Sequence, residues 1–82
     1  MAQEQKHPKL AALEDSTRRF LKAEIARADV TYDELAERLK KHGLKENASS
    51  IANKLARGTF TATFMLATLA ALEADGVQLS QL

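Results

Sequence analysis

Between Asn47 and Phe60 the chain reads N-A-S-S-I-A-N-K-L-A-R-G-T-F, a short helix that carries its own start and stop signals. Asn47 can cap the N-terminus through its side-chain oxygen, because the first backbone N–H groups of a helix lack intrahelical partners. Gly58 can end it, since glycine enters the left-handed conformation after a helix without strain. Ile51, Ala52 and Leu55 recur at helical spacing and predict one apolar face, which other helices must cover. The opposite face is predicted to show Ser49, Ser50, Asn53, Lys54 and Arg57, none of them acidic. The plain account of such a face is solvated surface. The sharper one is a negatively charged partner rich in hydrogen-bonding groups, and the DNA major groove is the commonest for a helix of this size.

The remaining helices follow from the same signals. Pro8 sits where a helix begins at no cost in hydrogen bonds. Leu10, Leu13, Thr17, Phe20, Leu21, Ile25 and Ala28 then form one stripe of a long first helix, supported by Glu14–Arg18 and Asp15–Arg19 at four-residue spacing. After a break at Asp29-Val30, Thr31 and Glu34 make a capping box. The second helix runs to about Lys41, with Leu35, Ala36 and Leu39 inward and Glu34–Arg38 and Glu37–Lys41 paired outside; Gly43 closes it and Leu44 folds back. Thr61 caps a fourth helix over 62–75, with Phe60 stapled to Met65 and Gly76 as its end. That helix is apolar on nearly every side, which predicts burial at the centre or sharing with a second copy. The expected organisation is a disordered tail over 1–8, an all-α domain over 9–76, and a C-terminal tail or short helical turn over 77–82. That makes four helices, or five if the last turn forms.

Composition narrows the function classes. Cysteine is absent, which removes disulfides, thiolate chemistry and thiolate zinc sites. No uncharged apolar run is long enough for a membrane span and the N-terminus is polar, so the expected compartment is the cytoplasm. His7 and His42 are the only histidines, Ser49 and Ser50 have no evident base, and no phosphate loop or metal-ligand spacing occurs. Enzyme activity, cofactors, metals and small-molecule ligands are therefore not expected. The net charge is +1, but residues 38–61 hold Arg38, Lys40, Lys41, Lys45, Lys54 and Arg57 against Glu46 alone. A basic block of this kind supplies phosphate attraction that the global charge does not.

Four helices in this order, with T-Y-D-E-L-A-E-R-L opening the second and S-I-A-N-K-L-A-R-G-T-F forming the third, resemble helix-turn-helix domains of the Cro and lambda-repressor type. More closely, the chain looks like a small bacterial family of unassigned function whose members share the R-G-T-F signature. The resemblance covers roughly residues 10–76. It implies a compact helix-turn-helix bundle whose third helix, about 48–57, enters the major groove while the start of the second touches phosphate. Two departures stand out. Leu39 and Ile51 are twelve positions apart, so Lys40 to Glu46 forms an enlarged connection, and Tyr32 replaces the glutamine often found at the start of the second helix.

The leading expectation is the sequence-specific DNA-binding domain of a small bacterial or phage transcriptional regulator. Ser49, Ser50, Asn53 and Lys54 are expected to face base edges, Asn53 suiting adenine and Lys54 guanine. Tyr32, Lys40, Lys41, Lys45 and Arg57 are expected on phosphate. A homodimer through the 62–82 region would supply the second half-site. The alternative is a helical protein-interaction module, adaptor or antitoxin-like, that does not read DNA.

Overall fold

In a computed structural model, which describes residues 7–82, the chain forms four α-helices and a short 3-10 turn. The helices are α1 (Pro8–Arg27), α2 (Tyr32–Lys40), α3 (Ala48–Arg57) and α4 (Ala62–Ala71), and the 3-10 turn spans Leu79–Gln81. There is no strand among the described residues, so the all-α expectation holds. Residues 1–6 of the expected tail lie outside the described residues. His7 and Pro8, also assigned to that tail, belong instead to α1: His7 is its N-cap, Nδ1 accepting from the Lys9 N–H at 3.1 Å.

The starts of the other three helices follow the side chains that cap them. Thr31 Oγ1 accepts from the Glu34 N–H and the Glu34 carboxylate accepts from the Thr31 N–H, both at 3.1 Å. The bond from the Thr31 N–H, followed by the Thr31 hydroxyl acting on the same carboxylate, holds the Glu34 carboxyl below its ordinary pKa. Asn47 and Ser50 make the equivalent reciprocal pair at α3. Thr61 Oγ1 accepts from the Phe64 N–H at 3.0 Å.

Three of the helices close in one way. In each, a residue just past the end donates back across five residues, Val30 to Ile25, Leu44 to Leu39 and Ala74 to Leu69. The residue before it adopts positive φ. Only at α2 is that residue a glycine, Gly43; at α1 it is Asp29 (φ 57°) and at α4 it is Glu73 (φ 58°). The expected end of α4 at Gly76 is thus corrected. The closure at Glu73 stops the helix at Ala71, short of the expected residue 75.

α2 packs on both α3 and α4, and α1 packs on the same two helices. Leu21 and Ile25 of α1, Leu35 and Leu39 of α2, Ile51 and Leu55 of α3, and Phe64 and Leu69 of α4 meet in the core. The α1 stripe is only half used. At 1.5 Å per residue its 20 residues span about 30 Å, twice the length of the helices it lies on. Its first turns overhang, and Leu10 and Leu13 remain 49% and 47% exposed. Ala28 and Ala52, placed inward by spacing, are also exposed. The fourth helix is not buried centrally either: Phe64, Thr68, Leu69 and Ala71 face the core, while Leu66 is 63% exposed.

Candidate functional site

The seven residues Lys41 to Asn47 join α2 to α3, and Glu46 secures them. Its side chain is 8% exposed. Its carboxylate accepts from Ser50 Oγ at 2.6 Å and from Lys54 Nζ at 3.0 and 2.9 Å. Burial alone would raise the Glu46 pKa; the bonds from Ser50 and Lys54, with the Lys54 charge, outweigh it and hold the group below its ordinary value. Lys54 Nζ also sits 5.5 Å from the centre of the Phe64 ring, a cation–π contact that ties α3 to α4. The enlarged connection is therefore anchored along the helix it leads into, through Ser50 and Lys54, one and two turns on from Glu46.

This anchoring reassigns two of the expected base readers. Ser50 Oγ bonds Glu46 and accepts from the Asn47 N–H, so it serves the start of the helix. The Lys54 ammonium is held by Glu46 and Phe64 rather than presented outward. Ser49 and Asn53 are exposed, as expected. Ala52 and Ala56 lie on the same side and are exposed with them. On 100° steps, positions 49, 52, 53 and 56 do share one face, so spacing could have found the two alanines. The outer face of α3 is thus Ser49, Ala52, Asn53 and Ala56, bordered by Arg57: small side chains and one amide over which a partner can approach closely.

The cations divide into two groups. Lys41, Lys45 and Arg57 are exposed and make no ion pair among the described residues. Two of them sit in the approach to the N-terminus of α3 and one in its last turn. Lys40 is exposed but pairs with Glu37 at 2.9 Å, which displaces the expected Glu37–Lys41 pair and lowers the Glu37 pKa. Arg38 does not form the expected external pair with Glu34 among the described contacts; it donates to the Ala71 carbonyl at 3.2 Å and so satisfies the C-terminal end of α4. The Tyr32 ring packs partly buried against the core, which makes it a packing residue first.

The R-G-T-F segment is mainly architectural. Gly58 (φ 73°) closes α3 and lies against α1, where an added Cβ would stand 3.5 Å from the Glu14 carbonyl oxygen. Phe60 meets Phe64 with ring centres 5.4 Å apart, where the expected staple pointed to Met65. Phe60 and Met65 do line one apolar groove of about 300 Å3 together with Leu10 and Leu13. Only Arg57 of the four residues belongs to the outer face.

Among the described residues no three His, Cys, Asp or Glu side chains come together as a metal-binding group. No described helix is long and apolar enough to cross a membrane. Residues 13–77 match the family model of a domain of unknown function, DUF6471, a span that contains α2, α3, α4 and most of α1. No curated protein and no solved structure matches the chain.

Proposed function

The chain belongs to the DUF6471 family, and we propose that it binds double-stranded DNA, with α2 and α3 acting as a helix-turn-helix pair and α3 lying in the major groove. The observation that carries this reading is the outer face of α3, free of acid and bulk, with Lys41 and Lys45 before it and Arg57 at its end, none of them in an ion pair among the described residues. Phosphate attraction from those three cations, assisted by Lys40, fixes position on the duplex. Asn53 is the base reader, its amide matching the donor and acceptor edge of adenine. Ser49 is a second polar contact, and the Ala52 and Ala56 methyl groups suit thymine methyls. Ser50 and Lys54 are left out of the reading set because Glu46 holds both. The protein would act as a transcriptional regulator.

Selection of binding sites from random duplexes tests this. An enriched motif is expected for the unaltered chain, and Asn53→Ala is expected to relax one base position by about 1–3 kcal/mol while leaving non-specific affinity unchanged. Identical enrichment before and after the substitution would remove Asn53 as a reader. A second reading, a helical adaptor or antitoxin-like module that does not read DNA, is favoured by the exposed apolar surface at Leu10, Leu13 and Leu66. Absence of retention on an immobilised random duplex at low salt would select it.

A further inference from the structure

α4 is a surface helix without a charged residue: from Thr61 to Leu72 the chain holds only apolar side chains and threonines. Its outer face is Ala62, Thr63, Leu66 and Ala70, all exposed. Leu66, at 63%, is the most exposed large apolar side chain of the four helices. Isolated exposed leucines are ordinary, but this one has company. Ala62 also lines the groove that carries Leu10 and Leu13, each about half exposed, so apolar surface continues from α4 onto the overhang of α1. A continuous apolar surface of this kind marks an interface.

We propose that this surface is covered by a second copy of the chain, in a two-fold dimer with antiparallel α4 helices and Leu66 on the axis. Along the row Ala62, Leu66 and Ala70 the sequence is symmetric about Leu66, an alanine standing four positions to either side, with Thr63 at the edge of the row. In an antiparallel pair each Leu66 therefore meets the partner's Leu66, and each Ala62 meets the partner's Ala70. Such self-complementarity is what an isologous contact requires. Small alanines beside the central leucine let the two backbones approach.

Charge supports the same arrangement. The α4 face holds no charge to be desolvated, and Glu14 is the one charged residue lining the adjoining groove. Glu73 is exposed just beyond the end of α4, and antiparallel pairing carries it to the N-terminal turn of the other α4. That turn holds no acidic residue of its own, and its free N–H groups favour one. The overhanging α1 turns extend the contact toward the ~800 Å2 per partner that a specific interface buries. This inference stands independently of DNA binding.

Because the chain has no cysteine, single-cysteine variants of the full chain report the geometry directly. Under mild oxidation Leu66→Cys is expected to form a covalent dimer at least about ten-fold faster than Leu79→Cys, because the pairing raises its effective concentration. A mixture of Ala62→Cys and Ala70→Cys is expected to cross-link faster than either alone. By sedimentation equilibrium the unaltered chain is expected to approach twice its monomer mass as concentration rises. Leu66→Asp, on an exposed position, should stay monomeric with unchanged helical circular dichroism. Equal cross-linking at positions 66 and 79, a persistent monomer, or a Leu66→Asp chain that still dimerises would overturn the interface. Rapid cross-linking at 66 without preference in the mixture would overturn the antiparallel register.

Discussion

Glu46 is the one acid between Arg38 and Thr61, and it withdraws a lysine from the basic surface while fixing the connection that precedes α3. Glu46→Gln tests both effects. Loss of the partly buried ion pair should lower stability by about 1–2 kcal/mol, read from the midpoint of urea unfolding. The pH dependence has a definite sign. The folded-state pKa is depressed, so the stability contributed is present above the unfolded value and is lost as pH falls below about 4.5 and through the folded value. The Gln variant should show a shallower loss over that acid range, and an unchanged acid limb would contradict the role given to Glu46. Thr68 poses the opposite case, a fully buried hydroxyl with no hydrogen-bond partner among the described residues. Thr68→Val keeps the shape and removes the unsatisfied oxygen. We expect a gain of about 1 kcal/mol, or roughly 4–8 °C in Tm by calorimetry for a domain of this size; a fall in Tm would show that the hydroxyl has a partner.

At the scale of elements, what could be read from sequence was what depends on neighbours along the chain. The Thr31 capping box, the Asn47 cap, the Gly43 and Gly58 closures and the 48–57 span of α3 all rest on contacts within a few residues, and the structure has each of them. What escaped the sequence depends on how elements sit on one another. Spacing put Leu10 and Leu13 in the core because it cannot show that α1 outruns α3 and α4. It placed Lys54 outward because the Glu46 that holds it lies on a folded connection, eight residues back. It ended α4 at Gly76 because a glycine is the usual closing residue, whereas Glu73 takes the left-handed position itself. That substitution of roles predicts a stabilising change at the equivalent place on α1. Asp29 holds φ 57°, and Asp29→Gly should relieve about 1 kcal/mol and raise Tm. An unchanged or lower Tm would mean that the aspartate side chain contributes as much as its backbone conformation costs.

Over the whole molecule a net charge of +1 hides a division of labour. The Asp15 carboxylate is engaged by Arg19 and Arg18, whose bonds hold its pKa down, and Glu24 pairs with Arg27, so three of the five α1 cations are matched where they stand, Lys9 and Lys22 making no ion pair among the described residues. Three more cations without an ion pair among the described residues, Lys41, Lys45 and Arg57, flank α3, the element whose outer side is small and uncharged. Apolar surface is gathered elsewhere, along α4 and the α1 overhang, so a partner copy and a duplex would not compete for one set of residues. The measurement that tests this account most directly is the salt dependence of binding to a random duplex, compared between the unaltered chain and Lys41→Gln/Lys45→Gln. Four cations, Lys40, Lys41, Lys45 and Arg57, predict that log K falls against log salt with a slope of about −3 to −4 per copy, and the double variant should be shallower by about 2. No binding at low salt, or one slope shared by both proteins, would contradict it.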